Sequence, residues 1–68
     1  MRVTLNGEPH VLDPGASLAD AVARLGVDGG ERGVAAAVDA EVVPRERWER
    51  TELADGMRVE VLRAAAGG

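Results

Sequence analysis

Residues 1–26 read Met1-Arg-Val-Thr-Leu-Asn-Gly-Glu-Pro-His-Val-Leu-Asp-Pro-Gly-Ala-Ser-Leu-Ala-Asp-Ala-Val-Ala-Arg-Leu-Gly26, and this stretch decides the fold. Apolar and polar side chains alternate through residues 1–5, the period of a half-buried strand. Asn6-Gly7 follows, and both residues tolerate the positive φ of a type I′ hairpin turn. Glu8 to Leu12 returns as a second strand, with Pro9 and Val11 on one face and His10 on the other, polar side. Proline cannot donate a ladder hydrogen bond, so the return strand belongs at a sheet edge. Asp13-Pro14-Gly15 ends it. Ser17 then opens a helix: its hydroxyl caps the first amides, and Asp20 suits the positive end of the helix dipole. Leu18, Val22 and Leu25 form one apolar stripe with Ala21 beside it, and Gly26 stops the helix. Two turns of helix cannot stand alone and must dock on a sheet.

The pattern continues downstream. Residues 27–33 hold Gly29, Gly30 and Gly33 and form a connection. A phosphate-cradling loop would need a Lys-Ser/Thr pair and a helix opening behind it, and neither follows. Val34-Ala-Ala-Ala-Val38 reads as a buried strand, Asp39-Ala40 as a tight turn, and Glu41-Val42-Val43 as a short partner strand stopped by Pro44. Residues 45–50 read as a turn of helix in which Trp48 covers the core and Arg45, Arg47 and Arg50 meet solvent. Asp55-Gly56 is another turn. In the last strand, residues 57–63, Val59 and Val61 alternate with Arg58, Glu60 and Arg63, and Leu62 is the exception. A hairpin, a crossover helix and further strands make an α+β roll: one main helix across a mixed four- to five-stranded sheet, the β-grasp layout. Residues 1–63 form this domain and residues 64–68 a flexible C-terminal tail.

Composition narrows the function. A chain of 68 residues buries only about 60% of the surface it exposes when unfolded, so it supports one modest core and no deep cleft. There is no cysteine, which removes cysteine nucleophiles, thiolate metal sites and disulfides. His10 is the one histidine, so a multi-histidine metal site is excluded, and it reads as a surface residue. Glu46 and Glu49 have no acid–base partner. The net charge is −4, and all eight basic residues are arginine. Such a chain is a poor ligand for nucleic acid or an anionic membrane, and no apolar run approaches the roughly 18 residues of a membrane span. The expectation is a non-enzymatic cytoplasmic protein without a bound cofactor or metal.

The tail is Ala64-Ala-Ala-Gly-Gly68. No side chain in it is larger than a methyl group, and five extended residues reach roughly 17 Å, enough to thread a narrow channel. Gly67 and Gly68 lack Cβ, so nothing shields the terminal carboxylate. Two segments carry a family likeness: residues 34–48, above all Val42-Val-Pro-Arg-Glu-Arg-Trp48, and residues 55–68, which close on the Gly67-Gly68 end shared by ubiquitin-like carriers. On these the chain resembles the ThiS family of ubiquitin-like sulfur-carrier proteins over essentially its whole length. Asp39-Ala40, Met57 and Ala64 to Ala66 depart from the family's usual residues.

The resemblance implies that an E1-like, ThiF-type adenylyltransferase uses ATP to place AMP on Gly68. Sulfur from a donor such as a cysteine desulfurase then replaces AMP, leaving a thiocarboxylate that a ThiG-type thiazole synthase consumes in making the thiazole of thiamine. Ala64, Ala65, Ala66 and Gly67 would enter the partners' active sites. Exposed apolar atoms near Val59, Val61 or Leu62 are candidates for the docking face. Three alternatives stand beside this reading: a carrier of the molybdopterin synthase small-subunit kind, a noncovalent β-grasp binding module, and a ubiquitin-like protein tag. The first is generally longer and richer in aromatic residues. The last could not build lysine-linked polymers on a chain without lysine.

Overall fold

A computed structural model describes residues 1–28 and 32–64. Its elements are β1 (Arg2–Leu5), β2 (Glu8–Val11), α1 (Leu18–Arg24), β3 (Val34–Val38), β4 (Glu41–Val43), a 3₁₀ helix (Arg45–Arg50) and β5 (Arg58–Arg63). The five strands form one mixed sheet in the order β2-β1-β5-β3-β4. β1 and β5 run parallel at its centre and the other neighbours run antiparallel. With one main helix on one face, this is the ubiquitin-like β-grasp.

Local signals build the elements as expected. Asn6 and Gly7 take φ of +49° and +84°, the pair of positive values a type I′ turn demands. Ser17 caps α1 reciprocally. Its Oγ accepts the Asp20 N–H at 3.2 Å, and its own N–H donates to Asp20 Oδ2 at 2.8 Å. Leu18, Ala21 and Val22 face inward from α1, and they meet Val3 and Leu5 of β1, Ala36 of β3, and Val59 and Val61 of β5. Trp48 and Leu53 close the core from the side of the 3₁₀ helix. The Trp48 Nε1–H donates to the Val43 carbonyl at 2.9 Å, and the Arg45 guanidinium lies 5.1 Å from the ring centroid. The indole is thus buried with its one polar group satisfied, as a cover over the core.

Two face assignments differ from the sequence reading. β2 does lie at the edge, but the register pairs His10 with Val3 and Val11 with Arg2. His10 therefore shares the helix-covered face and is half-buried, whereas Val11 points away from the helix and is 65% exposed. β3 is not buried on both faces. Ala36 is buried, Ala35 is exposed and Ala37 is half-buried, because helix covers only one side of the sheet.

The β3–β4 turn carries a correctable strain. Asp39 and Ala40 both have positive φ, +49° and +71°. Asp39 is tied down, since its Oδ1 accepts the Arg58 N–H at 2.9 Å. Ala40 is exposed and pays the left-handed penalty of its Cβ. Ala40→Gly should stabilise the fold by about 1 kcal/mol and raise the unfolding midpoint by roughly 4–8 °C, measured by thermal denaturation. An unchanged or lower midpoint would contradict this account of the turn.

Candidate functional site

The candidate site is the C-terminal end of β5 and the sheet face beside it. β5 is central, paired on one edge with β1 and on the other with β3, so it leads the chain out of the middle of the sheet. Its alternation is strict. Val59 and Val61 lie in the core at 0% and 7% exposure, and Arg58, Glu60 and Leu62 point to the open face. Of the three apolar residues expected near a docking face, Val59 and Val61 are therefore withdrawn into the core, because the helix covers their side of the sheet. Leu62 remains, 68% exposed.

Leu62 is not isolated. Register places Ala35 opposite Leu62, and Ala37 opposite both Glu60 and Val42. Val42, on the edge strand, is 71% exposed. Leu62 and Val42 form two ridges, and the alanines of β3 form the low floor between them. The result is a shallow apolar depression lined by Ala35, Ala37, Ala40, Val42, Glu60 and Leu62. Exposed large apolar side chains at two adjoining sites are the kind of feature that marks a partner surface. Ala35, Ala37 and Val42 were missed by sequence reasoning. The available signal was the alternation of Val34, Ala36 and Val38, which leaves Ala35 and Ala37 on the opposite face.

Beyond Arg63 the Ala64 N–H donates to the Gly33 carbonyl at 2.7 Å, so the chain is still bonded to the sheet at Ala64. Ala65, Ala66, Gly67 and Gly68 lie outside the described residues, as do Gly29 and Gly30. Among the described residues no polar or charged side chain is buried. Nor does any group of three or more His, Asp or Glu residues among them stand where it could hold a metal ion. No helix among them is long and apolar enough to cross a membrane.

A sheet of this order, with an apolar patch beside a strand that leads to a Gly-Gly end, agrees with the likeness read from the sequence. The model of the ThiS family matches residues 3–68. The chain belongs to the ThiS family. The solved structures that carry the same fold include two from one organism. A crystal structure of a thiamine biosynthesis protein (ThiS) from Geobacter metallireducens is 30% identical, with a TM-score of 0.77 and full coverage of both chains. A solution structure of a thiamine biosynthesis protein from the same organism is 31% identical, with a TM-score of 0.78, covering all of this chain and 88% of the other. No curated protein matches the chain in sequence. The ThiS match runs through Gly67 and Gly68 and so takes in the tail as well as the domain.

Proposed function

We propose that this protein is a sulfur carrier of thiamine biosynthesis whose reactive group is the Gly68 carboxylate. One observation carries the reading: the ThiS family match spans residues 3–68, body and Gly-Gly end together. The thiamine assignment of both structural relatives favours this pathway over molybdopterin synthesis.

A carboxylate is a poor electrophile until it carries a leaving group. An E1-like partner supplies one: a Gly68 oxygen attacks the α-phosphorus of ATP, pyrophosphate departs, and an acyl adenylate forms. The terminal sulfur of a donor persulfide attacks the acyl carbon, and AMP leaves. A thiol then attacks the donor-side sulfur of the resulting acyl disulfide, which frees the thiocarboxylate and leaves a disulfide. A thiazole synthase consumes that sulfur. The chain acts throughout as a cosubstrate: it presents an unshielded terminus and supplies no acid, base, metal or bound cofactor. Its partners grip the body on the open face through Leu62, Val42 and the alanine floor. Ala65, Ala66 and Gly67 form the thin lead into their active sites; Ala64, expected to belong to it, is bonded to the Gly33 carbonyl and stays with the sheet.

The test is direct. The protein is incubated with ATP, the E1-like enzyme of the same organism and a persulfide donor, and the product is alkylated and fragmented. The expected result is an alkylated thiocarboxylate at Gly68. Location by fragmentation is needed, because exchange of oxygen for sulfur changes the mass almost as oxidation of Met1 or Met57 does. A C-terminus that never becomes alkylated would overturn the reading.

A further inference from the structure

β5 is held on both edges at its C-terminal end. On the β1 side, strand pairing stops at Leu5 and Val59, because the chain turns away at Asn6-Gly7. The Asn6 side chain takes over. The Val61 N–H donates to Asn6 Oδ1 at 2.8 Å, and Asn6 Nδ2 donates to the Val61 carbonyl at 3.2 Å. A primary amide presents donor and acceptor together, as a peptide unit does, so it adds one rung to the ladder where no strand remains.

On the β3 side the ladder also runs one step further than the strands. Beyond the pair Val34 and Arg63, Ala64 bonds to the Gly33 carbonyl at 2.7 Å. Gly33 has φ +74°, and a Cβ there would stand 2.8 Å from the Ala64 Cβ. Optimal carbon–carbon contact is roughly 3.5–4.0 Å. The Ala64 methyl is one bond from the backbone and cannot swing aside, so only glycine at position 33 lets Ala64 seat.

We propose that Asn6 and Gly33 are positioning residues for the reaction at Gly68: together they seat the end of β5, so that the tail starts from a fixed root at Ala64. The inference rests on the carrier reading above. From that root the four following residues reach at most roughly 14 Å, which bounds the distance from Ala64 to the partner's reacting atoms. An unseated root spreads the same carboxylate over a larger volume and lowers the fraction in attack geometry. Docking of the body sets KM for the chain, so the loss falls on kcat.

The test compares the wild type with Gly33→Ala, Gly33→Ala/Ala64→Gly and Asn6→Gly, each confirmed folded by circular dichroism. Adenylate formation with the E1-like enzyme gives kcat and KM, and amide hydrogen exchange reports seating in the free protein. Gly33→Ala should lower the protection of the Ala64 amide roughly tenfold and kcat roughly tenfold, with KM unchanged. The double variant removes the opposing methyl and should restore both, although alanine at positive φ remains. A purely structural role for Gly33 would leave the double variant as slow as the single one. Asn6→Gly keeps a turn-competent residue and loses the side-chain rung; it should expose the Val61 amide and lower kcat at constant KM. An active wild type with unchanged kcat in both single variants, or a double variant without recovery, overturns this inference alone. A wild type that accepts no AMP overturns the carrier reading and this inference with it.

Discussion

A chain ending at Ala66 should fold as the full chain does and accept no AMP. The core runs from Val3 to Val61, so both glycines removed by the truncation lie downstream of every residue that builds it. Stability should therefore change by less than about 0.5 kcal/mol, the usual range for changes away from packed or bonded groups. The chemistry should respond oppositely. The new carboxylate sits two residues back, roughly 7 Å short at full extension, and carries a methyl on its α-carbon. Misplacement of a reacting group by about 1 Å can cost on the order of 100-fold in rate, so a gap of several ångströms should bring adenylation to background. Thermal unfolding and ATP–pyrophosphate exchange measure the two halves. A truncated chain that still exchanged, or still gave an alkylated C-terminus with a sulfur donor, would place the reactive group somewhere other than Gly68.

How much of this was legible in the sequence follows from the range over which each signal acts. The first hairpin, the capping box at Ser17 and the Asp39-Ala40 turn are local. Each is set by residues within three or four positions, and each formed as read. The edge position of β2 was also legible, because a proline in a strand excludes a second neighbour on its N–H side. Sidedness was harder. Val59, Val61 and Leu62 are all apolar, so alternation alone leaves two parities open at the end of β5. Pairing decided between them: Leu5, at 0% exposure, lies beside Val59 and brings it under α1. The same dependence on partners misplaced His10, whose face is fixed by Val3 across the hairpin. The alanines of β3 gave only a weak signal, the alternation of Val34, Ala36 and Val38, since a methyl group suits a core and an exposed floor equally. The Asn6 rung spans 55 positions in sequence and is visible only once β5 is set beside β1.

The parity of β5 yields the sharpest contrast between neighbouring positions. Val59→Asp places a carboxylate at a fully buried site on the central strand, between Leu5 on one side and Val38 on the other. No buried polar group among the described residues stands ready to pair with it. An unpaired buried charge costs several kcal/mol, and a domain of this size holds only about 3–10 kcal/mol in total. The variant should be unfolded by circular dichroism at ordinary temperature. Leu62→Asp, three residues on, meets solvent at a site already 68% exposed. It should cost at most about 1 kcal/mol, chiefly through weaker strand propensity, and leave a cooperative unfolding transition. Its effect should fall on the partner. A carboxylate beside Glu60 and over the alanine floor removes one of the two apolar ridges and must be desolvated on docking. The loss of a buried anchor at an interface is worth about 2 kcal/mol or more, so KM for the carrier in adenylation should rise roughly 30-fold with kcat little changed. Val42→Asp, on the opposite ridge, should act in the same direction. If Leu62→Asp left KM as it was, the open face would not be where the activating partner grips. A folded Val59→Asp chain would contradict the burial that assigns Val59 to the core and Leu62 to the surface.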